Sequence, residues 1–167
     1  MAWDLARLII VLVALQRLGE LVLARRNTAR LLAAGAVEHG AGHYPVMVTL
    51  HLAWLAALLW LAPGPVTWGW IAVFVVLQAA RVWVIATLGP RWTTRIIAVP
   101  GASLVRSGPY RFLRHPNYVI VALEIPILPL ALDLPWAALV FGVANLAVLA
   151  WRIRTEDAAL SQTAVDQ

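Results

Sequence analysis

The chain has 167 residues, of which 62% are hydrophobic and only 13% charged, which favours a single domain carrying more apolar surface than a soluble fold needs. It contains no cysteine, so disulfides, thiolate catalysis and cysteine-based metal sites are excluded. The formal net charge is +5 and all 13 basic residues are arginines, but they flank apolar runs instead of forming a basic face, which argues against nucleic acid as a partner.

A membrane-crossing helix needs about 20 mostly apolar residues. Five stretches fit that demand. The first runs from Trp3 to Ala24 and contains Arg17 and Glu20. It has no small-residue cleavage site, so it reads as a span and not as a cleavable signal peptide. The second, Tyr44 to Ala62, has no charge; the third, Val66 to Leu88, is interrupted by Arg81. The fourth, Asn117 to Leu132, carries Glu124. The fifth starts at Leu134, is apolar to Trp151 and continues as helix to Thr155. Residues 161–167 form a polar tail, expected to fray.

Pro63-Gly64-Pro65 and Asp133-Leu134-Pro135 make short turns. Spans two and three, and four and five, are thus expected to be antiparallel hairpins. Pro126 and Pro129 are expected to kink the fourth span. Arg25, Arg26 and Arg30 occupy the first connection, Arg91, Arg95, Arg106, Arg111 and Arg114 the third, and Arg152 and Arg154 the end of the fifth span. The two short turns have no basic residue. With five spans, all the basic segments fall on one side, and the positive-inside rule puts the N-terminus outside and the C-terminus in the cytoplasm. The membrane expected is a bacterial inner membrane. Within Arg25 to His43, Thr28 to Val37 is an amphipathic stretch expected to lie at the interface. The stretch from Gly89 to Pro116, rich in Gly, Pro, Arg and aromatics, is the expected place of a cytoplasmic site.

A charge inside a span is unfavourable by a few kcal/mol or more, so Arg17, Glu20, Arg81 and Glu124 must face partners or a wet cavity. Interhelical ion pairing and a functional role are both open for them; Glu124 leans to function because it shares a helix with the motif below. His39 and His43 are four apart, but no HExxH and no third ligand accompany them, so no metal site is expected. His51, in an apolar run, reads as a hydrogen-bonded packing residue. The chain has no P-loop, no GxSxG and no dinucleotide fingerprint.

The informative stretch is Gly108-Pro-Tyr-Arg-Phe-Leu-Arg-His-Pro-Asn-Tyr118. Gly108 and Pro109 make a turn, and Pro116 suits the first turn of a helix, where its missing donor is not needed. The free donors of that helix start can meet an anion or a polar ligand edge beside His115. The other reading is a positively charged turn that anchors the fourth span. A second stretch, Arg152-Ile-Arg-Thr-Glu-Asp-Ala-Ala-Leu160, puts Arg152 and Glu156 on one helix face. A hairpin of spans four and five returns it to the side of Arg114 and His115.

This pair of stretches resembles the isoprenylcysteine carboxyl methyltransferase family over roughly Pro90 to Leu160. Earlier segments, Gln16-Arg17-Leu18-Gly19-Glu20 and His43-Tyr44-Pro45 among them, are similar to a bacterial subgroup linked to type III polyketide synthases. The resemblance implies an all-α integral membrane protein, a five-transmembrane-helix bundle whose cytoplasmic cofactor pocket lies between the hairpin of spans four and five and the preceding loop. It implies S-adenosylmethionine as cofactor and membrane O-methyl transfer to a lipophilic acceptor, either an isoprenylcysteine-type carboxylate or an alkylpyrone- or alkylresorcinol-type lipid. His115, Pro116, Tyr118 and Glu156 would enclose the cofactor, with contacts from Val105, Gly108, Pro109 and Tyr110. Arg152 corresponds to the family's functional arginine. Two positions depart from the pattern: Ile120 stands where a glycine is usual, and Asp157 where a second Glu is.

Transfer of a methyl group from a sulfonium needs an aligned oxygen nucleophile, and positioning supplies much of the rate. A carboxylate acceptor needs an arginine to hold it, for which Arg152, Arg81 and Arg114 are candidates. A phenol or enol also needs proton removal, for which Glu124 or His115 are candidates. Rival readings are an NADPH-dependent sterol or enone reductase with a similar RHPNY turn, a phospholipid N-methyltransferase, and a non-enzymatic scaffold.

Overall fold

The computed structural model describes residues 2–61, 65–103 and 105–165, with side chains within 5–158. Pro63 and Gly64 of the expected turn Pro63-Gly64-Pro65 lie outside the described residues. Among the described residues there are five α-helices: α1 (Ala2–Ala33), α2 (His43–Leu61), α3 (Trp68–Leu88), α4 (Pro116–Ala131) and α5 (Pro135–Val165). Three stretches, His43–Leu61, Trp68–Arg91 and Pro135–Ala158, are long and apolar enough to cross a membrane. Many large apolar side chains face outward, and Trp60, Trp68 and Trp136 ring the end of the bundle where the basic residues are scarce. Such tryptophans suit a membrane–water interface.

Three expectations change. Helix α1 does not stop near Ala24; it absorbs Arg25 to Ala33 and ends in a Schellman turn, with Ala36 N–H bonded to Leu31 O (3.0 Å) and Gly35 at φ 89°. Of the amphipathic stretch Thr28 to Val37, the part up to Ala33 is thus the end of α1. Val37–His39 is instead a short strand, β1, paired antiparallel with β2 (Ile96–Ala98) in the register Val37↔Ala98, Glu38↔Ile97, His39↔Ile96. Helix α5 continues through the expected polar tail as far as Val165.

The third change concerns packing. The α4–α5 hairpin forms, turned by Asp133 at φ 58°, with Leu134 N–H on Pro129 O (2.9 Å). Helices α2 and α3 are not each other's main partners. Helix α4 packs on α3 and α5, and α2 packs on α5 and α1. Ten of the 16 residues of α4 are buried, which makes it the central helix. Pro129 inside α4 cannot donate to Ile125 O. Trp54 of α2, fully buried, donates its Nε1–H to that carbonyl at 3.1 Å. The proline that weakens α4 thus creates the acceptor that docks α2.

The four in-span charges form one network. Glu124 accepts from Arg17 (2.8 Å), Arg81 (3.0 Å) and Gln78 (2.8 Å). Glu20 pairs with Arg81 (2.7 Å) and Arg17 (3.0 Å). Gln16 bridges Glu20 (3.1 Å) and Gln78 (2.7 Å). Two cations meet two carboxylates, which ties α1 to α3 and α4 with the charge balanced. Removing one member leaves an uncompensated buried charge. Glu124→Ala is expected to lower stability by about 3–5 kcal/mol, read as a drop in the thermal midpoint of the detergent-solubilised protein.

Candidate active site

The two motif stretches of the sequence, Gly108–Tyr118 and Arg152–Leu160, meet at one end of α4 and α5. Gly108 opens a single 3-10 turn, Gly108–Arg111. Its φ is 54°, and a Cβ there would lie 2.5 Å from Thr87 Oγ1, so only glycine lets this turn close on α3. Pro109 is buried beneath it. His115 precedes Pro116, which starts α4 with no donor to satisfy.

Tyr118 is the joint. Its hydroxyl donates to Glu156 Oε2 and accepts from Arg152 Nε at 2.8 Å. Arg152 Nη1 also reaches Thr94 O (2.8 Å) and Met47 Sδ (2.9 Å). One buried guanidinium therefore links α5, α4, α2 and the loop before β2. His115 stacks on Tyr118, with ring centroids 5.3 Å apart. Its Nε2 lies 3.3 Å from Asp157 Oδ1, which also pairs with Arg114 at 3.0 Å. Asp157, the departure from the family's acidic pair, thus closes the exposed side of the site. Ile120, the other departure, is buried away from both cavities described next.

Two cavities meet at this joint. The loop cavity, about 500 Å³, is walled by β2, the loop around Val105, Tyr110, Arg114, His115, Tyr118, Arg152 and Glu156. The bundle cavity, about 320 Å³, lies among α1, α2 and α5, with Arg17, Glu20, Arg81 and His51 on its wall. Trp92, Thr93, Asn117, Tyr118 and Arg152 line both. Leu18 of α1 and Leu52 of α2 line the bundle cavity and are also more than half exposed, which puts a mouth between α1 and α2 facing the lipid side.

The candidates separate by position. Val105, Tyr110, Arg114, His115, Tyr118, Arg152 and Glu156 line the loop cavity, and Arg81 lines the bundle cavity. Gly108, Pro109 and Pro116 line neither and shape the backbone. Glu124 lines neither cavity; it is held by Arg17 and Arg81. Burial, and then the charge of Glu156, push the Tyr110 phenol up to about 12, so it stays a protonated donor at neutral pH. Sequence reasoning missed Trp92, Asn117 and the α1 and α2 walls. Asn117 sat inside the motif, yet its role depends on which way the first turn of α4 faces. Among the described residues, Trp92 Nε1 and Asn117 Oδ1 are buried without hydrogen-bond partners. An orphaned donor and an orphaned acceptor at the wall between two cavities are what a bound polar ligand would satisfy.

The fold and site define a helical membrane protein with two adjoining cavities, the one at the end of the bundle richer in polar groups than the one inside it. Residues 70–162, more than half of the chain, match the isoprenylcysteine carboxyl methyltransferase family, and the chain belongs to that family. Membership points to a membrane methyltransferase. The chain is similar to the uncharacterized protein YpbQ of Bacillus subtilis, 38% identical over 164 residues, covering 95% of this chain and 98% of that one. It is also similar to an uncharacterized protein of Haemophilus influenzae, 28% identical over 152 residues, 87% of this chain and 88% of the other. No solved structure matches it.

Tyr118→Phe removes the hydroxyl that joins Arg152 to Glu156. It is expected to destabilise the ligand-free protein by about 1.5–3 kcal/mol, as a hydrogen bond to a buried charged group is lost, measured as a lower thermal midpoint.

Proposed function

We propose that the protein is an S-adenosylmethionine-dependent O-methyltransferase that acts on a lipophilic acceptor reaching it through the bilayer. The observation that carries this reading is the meeting of a loop cavity with a mixed polar and apolar lining and a more apolar bundle cavity at one wall, Trp92, Asn117, Tyr118 and Arg152. One cavity suits a water-borne ligand and the other a lipid-borne one.

The loop cavity fits the cofactor by size and by chemistry. Its volume lies in the usual range for small-molecule sites, roughly 300–1,000 Å³. Arg91, which among the described residues bonds only the Ser103 carbonyl (2.8 Å), offers a cation to a carboxylate. Glu156 and the rings of Tyr110, Tyr118 and Trp92 offer a carboxylate and aromatic faces to a sulfonium. Trp92 Nε1 and Asn117 Oδ1 supply the unmatched donor and acceptor. The cofactor, when bound, supplies a methyl group activated by positive sulfur.

The chain's own part is alignment. Arg152 lines both cavities, and among the described residues its Nη2 makes no hydrogen bond, so it can hold the acceptor oxygen. Tyr118 and Glu156 fix the guanidinium in place. The acceptor is an isoprenylcysteine-type carboxylate or an alkylpyrone- or alkylresorcinol-type lipid. The arginine-rich end lies in the cytoplasm of a bacterial inner membrane, where the cofactor is made, and the N-terminus lies outside.

Titration of the purified protein is expected to show a thermal midpoint raised by S-adenosylmethionine and unchanged by NADPH, since only a ligand that binds the folded state stabilises it. A rise with NADPH alone would favour the reductase. His115→Ala and Glu156→Ala are expected to reduce radiolabelled methyl transfer to a lipid extract by about 100-fold or more. Full transfer by both variants would count against the site.

A further inference from the structure

The bundle cavity holds a titratable group that alignment alone leaves without a role. His51 lies on α2, one turn after Met47, and lines that cavity. Its Nδ1 is 2.8 Å from Met47 O. A carbonyl oxygen only accepts, so Nδ1 carries the proton and Nε2 carries the lone pair. Among the described residues, no group donates to Nε2. The ring stands edge-on to Trp54, with centroids 6.5 Å apart and planes at 75°.

The charged groups facing the same cavity are Arg17 and Glu20 of α1, Arg81 of α3 and Arg152 of α5. Glu124 of α4 sits behind Arg17 and Arg81. Glu20 and Glu124 balance Arg17 and Arg81, which leaves Arg152, whose Nη2 makes no hydrogen bond among the described residues, to stabilise an oxyanion that forms beside it. A base of fixed tautomer faces that lining. A carboxylate acceptor, ionised at neutral pH, would leave such a base nothing to remove.

We infer that His51 is the proton acceptor of the reaction, its Nε2 taking the proton of a neutral, weakly acidic hydroxyl, a phenol or an enol, on a lipophilic acceptor lying in the bundle cavity. The inference rests on the methyltransferase reading and narrows its acceptor to a hydroxyl. The O–H bond breaks, and the proton goes to Nε2. The electron pair left on oxygen forms the new bond to the methyl carbon of S-adenosylmethionine. The bond from that carbon to sulfur breaks, and its pair stays on sulfur as a neutral thioether. The imidazolium then loses its proton to water.

The test uses the full-length protein in lipid nanodiscs. His51→Asn keeps an amide donor where Nδ1 bonds Met47 O but has no base. His51→Gln places an amide where Nε2 lies. The first readout needs no cofactor: the visible spectrum of a long-chain alkyl 4-nitrophenol at a pH below its own pKa. The wild type is expected to raise the phenolate fraction on binding, and both variants to raise it less. The second readout is methyl transfer to a long-chain alkylphenol and to its ring-fluorinated analogue, already ionised at the assay pH. His51→Asn is expected to lower transfer to the alkylphenol by about 100-fold or more, and to the fluorinated analogue by less than about fivefold.

Equal loss on both acceptors, or no loss on the alkylphenol, overturns the role of His51. Loss of S-adenosylmethionine binding in both variants makes His51 a structural residue and overturns it too. A wild type that binds the cofactor but methylates only a long-chain carboxylate overturns the acceptor class. A wild type that binds no S-adenosylmethionine overturns the methyltransferase reading, and this inference with it.

Discussion

The structure depends on the balance of four charges inside an apolar bundle. Arg17, Glu20, Arg81 and Glu124 come from α1, α3 and α4, and each carboxylate contacts both guanidiniums. None is tolerable alone in a low-dielectric interior. The network fixes the middle of α1, while Asn27, whose amide donates to Gly89 O (3.1 Å) and Trp92 O (2.8 Å), fixes its end. That position matters because α1 and α2 form the walls of the bundle cavity and its lipid-facing mouth. The ion pairs specify an arrangement more than they add stability, since a well-packed apolar substitute for such a network is often as stable.

The central helix α4 joins that network to the site. Its middle carries Glu124 and its first turn carries Asn117 and Tyr118, which line both cavities. Its two prolines break the hydrogen-bond ladder, and one freed carbonyl receives Trp54 of α2. The same short helix thus holds α2 by a backbone acceptor, α1 and α3 by a carboxylate, and α5 by Tyr118. Arg152 completes the joint. Its guanidinium is buried, bonded to groups from separate elements, and still presents Nη2 to the cavities. Being so held, it can orient a ligand with little further loss of freedom.

The pairing of β1 with β2 completes the loop cavity. Only three residues of each strand pair, yet they carry the end of α1 to the wall opposite α5. Arg95 and Glu38, 2.9 Å apart, staple the strands. Two-stranded pairings are marginal alone. This one stands because Ile96 and Ala98 are buried and Arg152 grips Thr94 O just before it.

Hydropathy and charge spacing determined the five helices, because lipid forces every backbone donor to be satisfied within its own segment and so leaves long apolar runs. Gly108 to Tyr118 and Arg152 to Glu156 were legible as one site, since a short turn at Asp133 can only bring the two ends together. The sequence did not determine where α1 stops, because Arg25 to Ala33 suits a helix and an interfacial stretch equally well. It did not show that α2 packs on α5 and α1 instead of α3, which depends on α4 lying between them. Tertiary structure alone decided the surroundings of Glu124 and His51. Each is a polar residue in an apolar run. That Glu124 is locked between Arg17 and Arg81, and that His51 lines a cavity, depends on neighbours tens of residues away in the chain, brought close only by packing.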